Sequence, residues 1–394
     1  MTGIRLRGTL VCAAMLACAA AAHAQDAATT SNAEFEISPT GYVQLDWRGY
    51  PDWDVPTGTG RLNRDNFEVR RVRLGVDGRW RRLSYEVSID PQDDSDGVAV
   101  KDAYGQFRFG RAVRLRIGQF KLPGGREYGA SARTSDFMER AAFADLAAAG
   151  RDLGGMVLGD VGRFGYEAGM FAGDGNGRAS RAETTGAGRV QFNATGDLQM
   201  GGYFSAGRTK AVDEDAPNGI IGRAASGYRF FDQVYVDGWR MRAGGDVEWE
   251  HGPWRVAGEY MRTTDERAEQ GLDFEDLPDV VSNGWMVSLT RTLGERAGPA
   301  RVRWHEVELG VRLDYLGFDD NGSNTGSDSV RARATNIRAR NVLETTAGVS
   351  WRPIRWTRVM TNVSWEQYDE TRSAPEPGKS GYLTVGTRLQ LMFR

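Results

Sequence analysis

Lys121, Arg126, Arg133 and Arg140 lie on or beside one long connection, residues 122–150, and are the side chains best placed to do chemistry. A guanidinium offers an oxyanion two parallel hydrogen bonds and stays protonated at any ordinary pH. Rings of such groups make a passage anion-selective, provided each site binds weakly enough to release its ion. Arg71, Arg73, Arg114 and Arg116 extend the set. They alternate with Val72 and Leu74, and with Leu115 and Ile117, so each pair shares the face opposite an apolar one. Arg189, Arg242 and Arg388 share that polar face by the same parity. The competing role is pairing with acids. Glu127, Asp136, Glu139 and Asp145 share the connection, and Glu86, Asp90, Asp102, Glu248, Glu306 and Glu308 share the polar face.

Other chemistries find little support. Cys12 and Cys18 both precede a cleavage site at Ala22-His-Ala24, so the mature chain carries no thiol nucleophile, cysteine metal site or disulfide. His251 and His305 have no neighbouring serine, so a hydrolase is disfavoured and no catalytic residues are assigned. The acids at 90–96 and 319–322 lack the full spacing of a calcium loop and read as solvated, which leaves no metal site. The glycine-rich turn at 173–177 precedes no helix and is no phosphate cradle. No cofactor is implied. The formal charge of -3 and the absence of a nucleic-acid motif argue against a nucleic-acid partner. Any preference for anions must come from local placement.

The elements that position these residues alternate at period two from Thr40 onward. Leu383, Val385, Leu389, Leu391 and Phe393 oppose Tyr382, Thr384, Arg388 and Gln390. Leu309, Val311, Leu313 and Tyr315 oppose Glu308, Gly310, Arg312 and Asp314. Around Arg70 the parity slips, which predicts a bulge. Tight turns near 79–82, 110–112, 162–163, 196–197, 252–253 and 353–354 alternate with long polar loops, among them 208–238 and 319–340. Short turns on one side and long loops on the other are the signature of a membrane barrel. Without a long apolar helix, only a closed sheet satisfies its backbone in lipid. A soluble sandwich or propeller would show repeats of fixed length, and none is visible.

The reading is all-β: a transmembrane antiparallel β-barrel of about sixteen strands, with residues 122–150 folded into its lumen or lying over it as a lid. Residues 1–24 form a secretory signal, with Arg5 and Arg7 before a short apolar run. Residues 25–39 form a polar periplasmic extension, and 40–394 the barrel. Tyr42, Trp47, Phe109, Phe164, Trp249, Trp254, Trp351, Trp356 and Tyr368 are placed as interfacial girdles. Tyr104 and Tyr203 are the inward aromatics.

One ordered set of segments carries a resemblance. Phe67-Glu-Val-Arg-Arg-Val-Arg-Leu-Gly75, Asp102-Ala-Tyr104, Ile117-Gly-Gln-Phe-Lys121, Glu139-Arg140, Arg151-Asp-Leu-Gly154 and Gly169-Met-Phe-Ala-Gly173 follow one another as in the phosphate-selective porin O/P family of Gram-negative outer membranes. The resemblance implies a homotrimeric outer-membrane barrel in contact with lipid, whose third extracellular loop, here residues 122–150, folds inward as the constriction. It further implies small inorganic anions, phosphate or polyphosphate, as the permeant partners. A general or sugar-type porin is the alternative. This chain departs from lysine-rich members in having lysine only at Lys101, Lys121, Lys210 and Lys379.

Overall fold

A computed structural model describes residues 35–51, 66–91, 98–147, 150–173, 182–209, 219–224, 226, 228–270, 274–293, 306–319, 340–369 and 378–393. The signal, the loop acids at 92–96 and most of 319–340 lie outside them. The chain forms β1 (Phe35–Gly49), β2 (Asn66–Trp80), β3 (Leu83–Asp90), β4 (Ala99–Arg108) and β5 (Arg114–Lys121). Two short helices follow, α1 (Arg126–Gly129) and α2 (Ala142–Ala147). Next come β6 (Arg151–Val161), β7 (Phe164–Phe171), β8 (Ala182–Asn193), β9 (Leu198–Thr209), β10 (Gly219–Arg223), β11 (Arg229–Tyr235), β12 (Gly238–His251) and β13 (Trp254–Arg267). The chain ends with β14 (Leu277–Leu293), β15 (Glu306–Phe318), β16 (Arg340–Ile354), β17 (Thr357–Tyr368) and β18 (Gly381–Phe393).

All strands except β10 and β11 pair in sequence order into one closed antiparallel barrel of sixteen, and β10–β11 form a separate hairpin. Closure joins β1 to β18 from Gly41 opposite Phe393 to Gly49 opposite Val385. This closure is what lets a sheet cross hydrocarbon, where each unpaired backbone group costs several kcal/mol.

Burial is inverted relative to a water-soluble protein. Ile117, Leu153, Val287 and Val311 are exposed, whereas Gln44, Asp46, Arg312, Arg388 and Gln390 are almost completely buried. Apolar side chains face outward and polar ones fill the lumen. No helix among the described residues is long and apolar enough to cross a membrane. Trp80, Phe109, Phe164, Trp249, Trp254 and Trp351 are exposed next to the short turns, where an aromatic girdle belongs. The turns at Gly162 and Gly252 reverse the chain with φ of 60° and 57°, open to glycine without strain.

Four expectations need adjustment. β1 begins at Phe35, inside the segment read as an extension, and residues 35–39 pair with Trp80 back to Val76. The turn expected at 353–354 falls at Arg355–Trp356. Tyr42 and Tyr368, read as girdle residues, are buried on the inner face, as is Tyr382. Finally, the connection between β9 and β12 is not wholly external. Its Ala224 and Val236 share an apolar cluster with Ala141, Ala142, Phe143 and Ala144 of the connection 122–150. The bulge is as expected: Gln44 pairs with Arg71 and Leu45 with Val69, which leaves Arg70 unmatched.

Candidate functional site

The connection 122–150 crosses the lumen, because its side chains and carbonyls meet inner faces of strands far from its two ends. The first anchors are steric. Gly310, Gly348, Asn362, Gly386 and Arg48 are directly paired in one row across β15, β16, β17, β18 and β1. The three glycines open a groove in that row. A Cβ at Gly310 would lie 3.1 Å from Phe137, and one at Gly386 would lie 2.9 Å from Met138. On β14, a Cβ at Gly284 would overlap the ring of Phe143. Phe137 and Phe143 are accordingly buried, at 4% and 0% exposure.

The second anchors are electrostatic. Four buried wall arginines each donate to a carbonyl of the connection while pairing with, or reaching, an acid. Arg189 donates to Gly124 O at 2.9 Å and is bidentate to Asp246. Arg312 donates to Glu139 O at 2.8 Å and to Asp314 at 2.8 Å. Arg358 donates to Ser135 O at 2.7 Å, with Glu308 at 3.5 Å. Arg388 donates to Met138 O at 2.5 Å and is bidentate to Asp46 at 2.7 Å. Gln44 and Gln390 hold the carbonyls of Ala132 and Arg133. In the other direction, Glu259 and Asp314 accept the backbone N–H groups of Glu127 and Ala142. Polar groups buried this deeply are tolerated only when paired, so the network also fixes the path of the connection.

Two acids of the connection show opposite electrostatics. Burial alone would raise the Glu139 carboxyl. Arg70, Arg48 and Arg388 outweigh it and hold the group well below the usual carboxylate range. Burial pushes Glu127 up, and Arg312 and the Ala141 N–H only partly offset that.

The eight nominated cations divide. Arg126 pairs with Glu248 and also donates to Gln199 at 2.7 Å. Arg114 pairs with Asp160 at 2.9 Å, and Arg73 lies 3.7 and 3.8 Å from Asp90 and Asp102. Arg140 donates to the carbonyls of Glu127 and Ala130 and lies over the Tyr128 ring. Lys121, at the end of β5, donates to the carbonyls of Tyr128, Gly129 and Ala130 at 2.7–3.2 Å, so carbonyls rather than carboxylates satisfy its ammonium. Arg140, Arg151 and Arg73 are among the charges acting on it, with Asp102 opposing them. Arg116 lies 4.3 Å above the Tyr104 ring and is bound by the neutral Gln106. Among the described residues, no acid lies at ion-pair distance from the side chains of Arg71, Arg116, Lys121 or Arg133. Arg71 is next to Gln44 in register, and Gln44 holds the carbonyl just before Arg133. The cations without a close counter-charge thus sit on β2 (Arg71), on β5 (Arg116, Lys121) and on the connection (Arg133).

Arg189 and Arg388, read from parity as candidates for the lumen surface, are inward but serve as clamps. The other sites missed from sequence are Arg312, Arg358 and the glycine row. The signal of the row was glycine at inward parity on β15, β16 and β18. Tyr104 and Tyr203 are inward and donate to Glu86 and Glu259 at 2.8 and 3.1 Å. His251 sits in an exposed turn against Asp197, and among the described residues no group of three metal-type ligands converges.

A closed sixteen-stranded barrel, apolar outside and polar inside, with the connection 122–150 inserted, is an outer-membrane diffusion channel. The chain belongs to the phosphate-selective porin O and P family, whose profile matches residues 40–393. Solved structures share the fold at low identity. OmpT of Vibrio cholerae is 12% identical with TM-score 0.60, over 92% of this chain and 99% of that one. The anion-selective porin from Comamonas acidovorans is 13% identical with TM-score 0.56, over 91% and 100%. The outer membrane channel DcaP of Acinetobacter baumannii is 11% identical with TM-score 0.57, over 92% and 99%. Comparison with curated protein sequences finds no match.

Proposed function

We propose that this porin passes small anions, with phosphate or polyphosphate among them, between the connection 122–150 and the wall formed by β2–β5. The reading rests on one observation. Arg71 of β2, Arg116 and Lys121 of β5, and Arg133 of the connection have no carboxylate at ion-pair distance among the described residues, and Arg73 and Arg140 act on Lys121. On the opposite side the arginines are spent on acids and carbonyls. An anion entering that passage exchanges water for donors fixed in place. Each charge-assisted contact is worth about 1.5–3 kcal/mol. Asp90, Asp102 and Glu86 offset part of the field, so weak, multi-site binding is expected, as conduction requires.

The family name supports phosphate as a permeant solute. The general or sugar-type alternative draws on the inward tyrosines, but Tyr104 carries Arg116 on its face rather than presenting an open ring. A homotrimer is the expected assembly, since one solved V. cholerae OmpT structure is described as a trimer form. Residues 1–24 are proposed to be removed on export, with the long loops facing outward. The reversal potential of the purified porin in a KCl gradient tests the selectivity. A shift toward the chloride potential, with chloride current reduced by added phosphate, is expected. A potential at the bulk-diffusion value would mark a general porin.

A further inference from the structure

A second polar space lies between the connection and the inner faces of β15–β18 and β1. It has a cavity volume of about 40 Å³ and is bounded by Met138 and Glu139 of the connection, by Ser226 of the β9–β12 connection, and by those inner faces. Its wall consists of consecutive rows fixed by register. Asp314, Glu344, Glu366 and Tyr382 are directly paired across β15, β16, β17 and β18. The next row is Arg312, Thr346, Ser364 and Thr384. Three carboxylates thus stand side by side with one guanidinium between them.

Charge accounting leaves this space negative. Arg312 is committed to Asp314 at 2.8 Å and to Glu139 O, and it reaches Glu344 only at 3.7 Å. Arg48 is shared between Asp46 and Glu139, and Glu139 also has Arg70 and Arg388. Glu366, fully buried, is bound only by neutral donors: the Ser226 N–H at 2.8 Å, the Ser226 hydroxyl at 3.0 Å and the Tyr368 hydroxyl at 2.7 Å. Glu344 is 3% exposed. One oxygen accepts from Thr346, but Glu344 Oε2 has no partner. Thr384 Oγ1, on the same wall, also has none. A buried carboxylate oxygen without a donor is costly, and here it faces a cavity rather than packed chain.

We propose that this cavity binds small organic cations carrying a primary ammonium, held by Glu344, Glu366 and Thr384. An ammonium brings three N–H donors and a positive charge, which are what the wall lacks. An anion would meet Glu366, bound only by neutral donors, and Glu344, which shares Arg312 with Asp314. A neutral polyol would supply donors but leave the charge. No cluster suited to a metal ion is present among the described residues. The assignment is independent of the anion passage, which uses other residues.

The test is current block in planar bilayers by 1,4-diaminobutane added to the long-loop side. Half-block concentrations are compared for the wild-type protein, Glu344→Gln and Thr384→Val, with assembly verified by resistance to SDS at room temperature. Glu344→Gln should raise the half-blocking concentration about tenfold or more, as expected for a lost charge-assisted contact. Thr384→Val, whose hydroxyl contributes without charge, should raise it about threefold and serves alone if Glu344→Gln fails to assemble. The double variant Arg71→Gln/Arg133→Gln should retain the wild-type half-block even if its anion selectivity is lost. Equal block by 1,4-butanediol or by MgCl2 would overturn the assignment, and so would a half-block unmoved in every variant that assembles.

Discussion

The two walls facing the connection 122–150 use the same residue types and differ in what those residues touch. On the side of β8 and β12–β18, arginines are buried, bidentate to acids and donating to loop carbonyls, as with Arg189 and Arg388. On the side of β2–β5, Arg71 and Arg116 have no acid at ion-pair distance, and Lys121 is held by carbonyls. The lesson is that arginine content alone does not mark a permeation path. An arginine whose charge is already matched holds structure, and one whose charge is unmatched remains available to a solute. Desolvating an ion pair is tolerated where its geometry is good, but such a pair presents little net field to a passing ion.

The largest effect should follow from breaking a clamp. Arg388→Ala removes the bidentate partner of Asp46, one of the three arginines on Glu139 and the donor to the Met138 carbonyl, and losing one member of a buried pair costs about 3–5 kcal/mol. A markedly lower temperature for loss of the SDS-resistant barrel is expected, with noisier single-channel current as the connection loosens. Arg71→Ala should leave that temperature nearly unchanged. Equal losses from the two would erase the distinction between the walls.

Next come the glycine seats. Gly284→Val drives a side chain into the ring of Phe143, and overpacking of this kind costs about 1–3 kcal/mol. The expected result is a less stable barrel whose connection sits higher, with altered conductance. Gly155→Val, where a side chain would meet nothing within 4 Å, should be close to neutral in both readouts.

The third effect is a matter of pH. Glu139 is depressed in the folded protein, so its stabilising contribution is present above the ordinary carboxylate value, about 4.3. It is lost only as pH falls through the lower folded value. Glu127 is raised, so protonation favours its folded environment and acidification does not loosen the connection there. The voltage at which the channel closes should therefore hold between pH 7 and 5 and drop only below about pH 4. In Glu139→Gln it should already be lowered at pH 7. A drop in the wild-type protein between pH 7 and 5 would place the seating of the connection on other groups.

Much of this was legible in sequence because a barrel is local in register. Period-two alternation gave each strand its faces, and the slip between Val69 and Arg71 gave the bulge. A 29-residue gap between β5 and β6 exposed the inserted connection. The pairing of cations with acids was not legible. Arg126 of the connection meets Glu248 of β12 at a sequence separation of 122, and Arg388 meets Asp46, its register partner across the barrel closure, at a separation of 342. Parity says that a residue points inward but not what lies opposite. The second inward element was missed because residues 208–238 are polar overall. Ala224 and Val236 of that loop are buried all the same.

The smallest effect in energy is the most direct test of the central claim. Arg71, Arg116 and Arg133 are replaced together by Gln, and the reversal potential is measured in a tenfold KCl gradient beside Arg352→Gln. Arg352 pairs with Glu306 on β15. The triple variant should move the potential toward the cation side and weaken the effect of phosphate on chloride current, with barrel stability retained. Arg352→Gln should leave the potential close to wild type. If the triple variant keeps the wild-type potential, or if Arg352→Gln shifts it as far, anion preference does not arise at the β2–β5 wall.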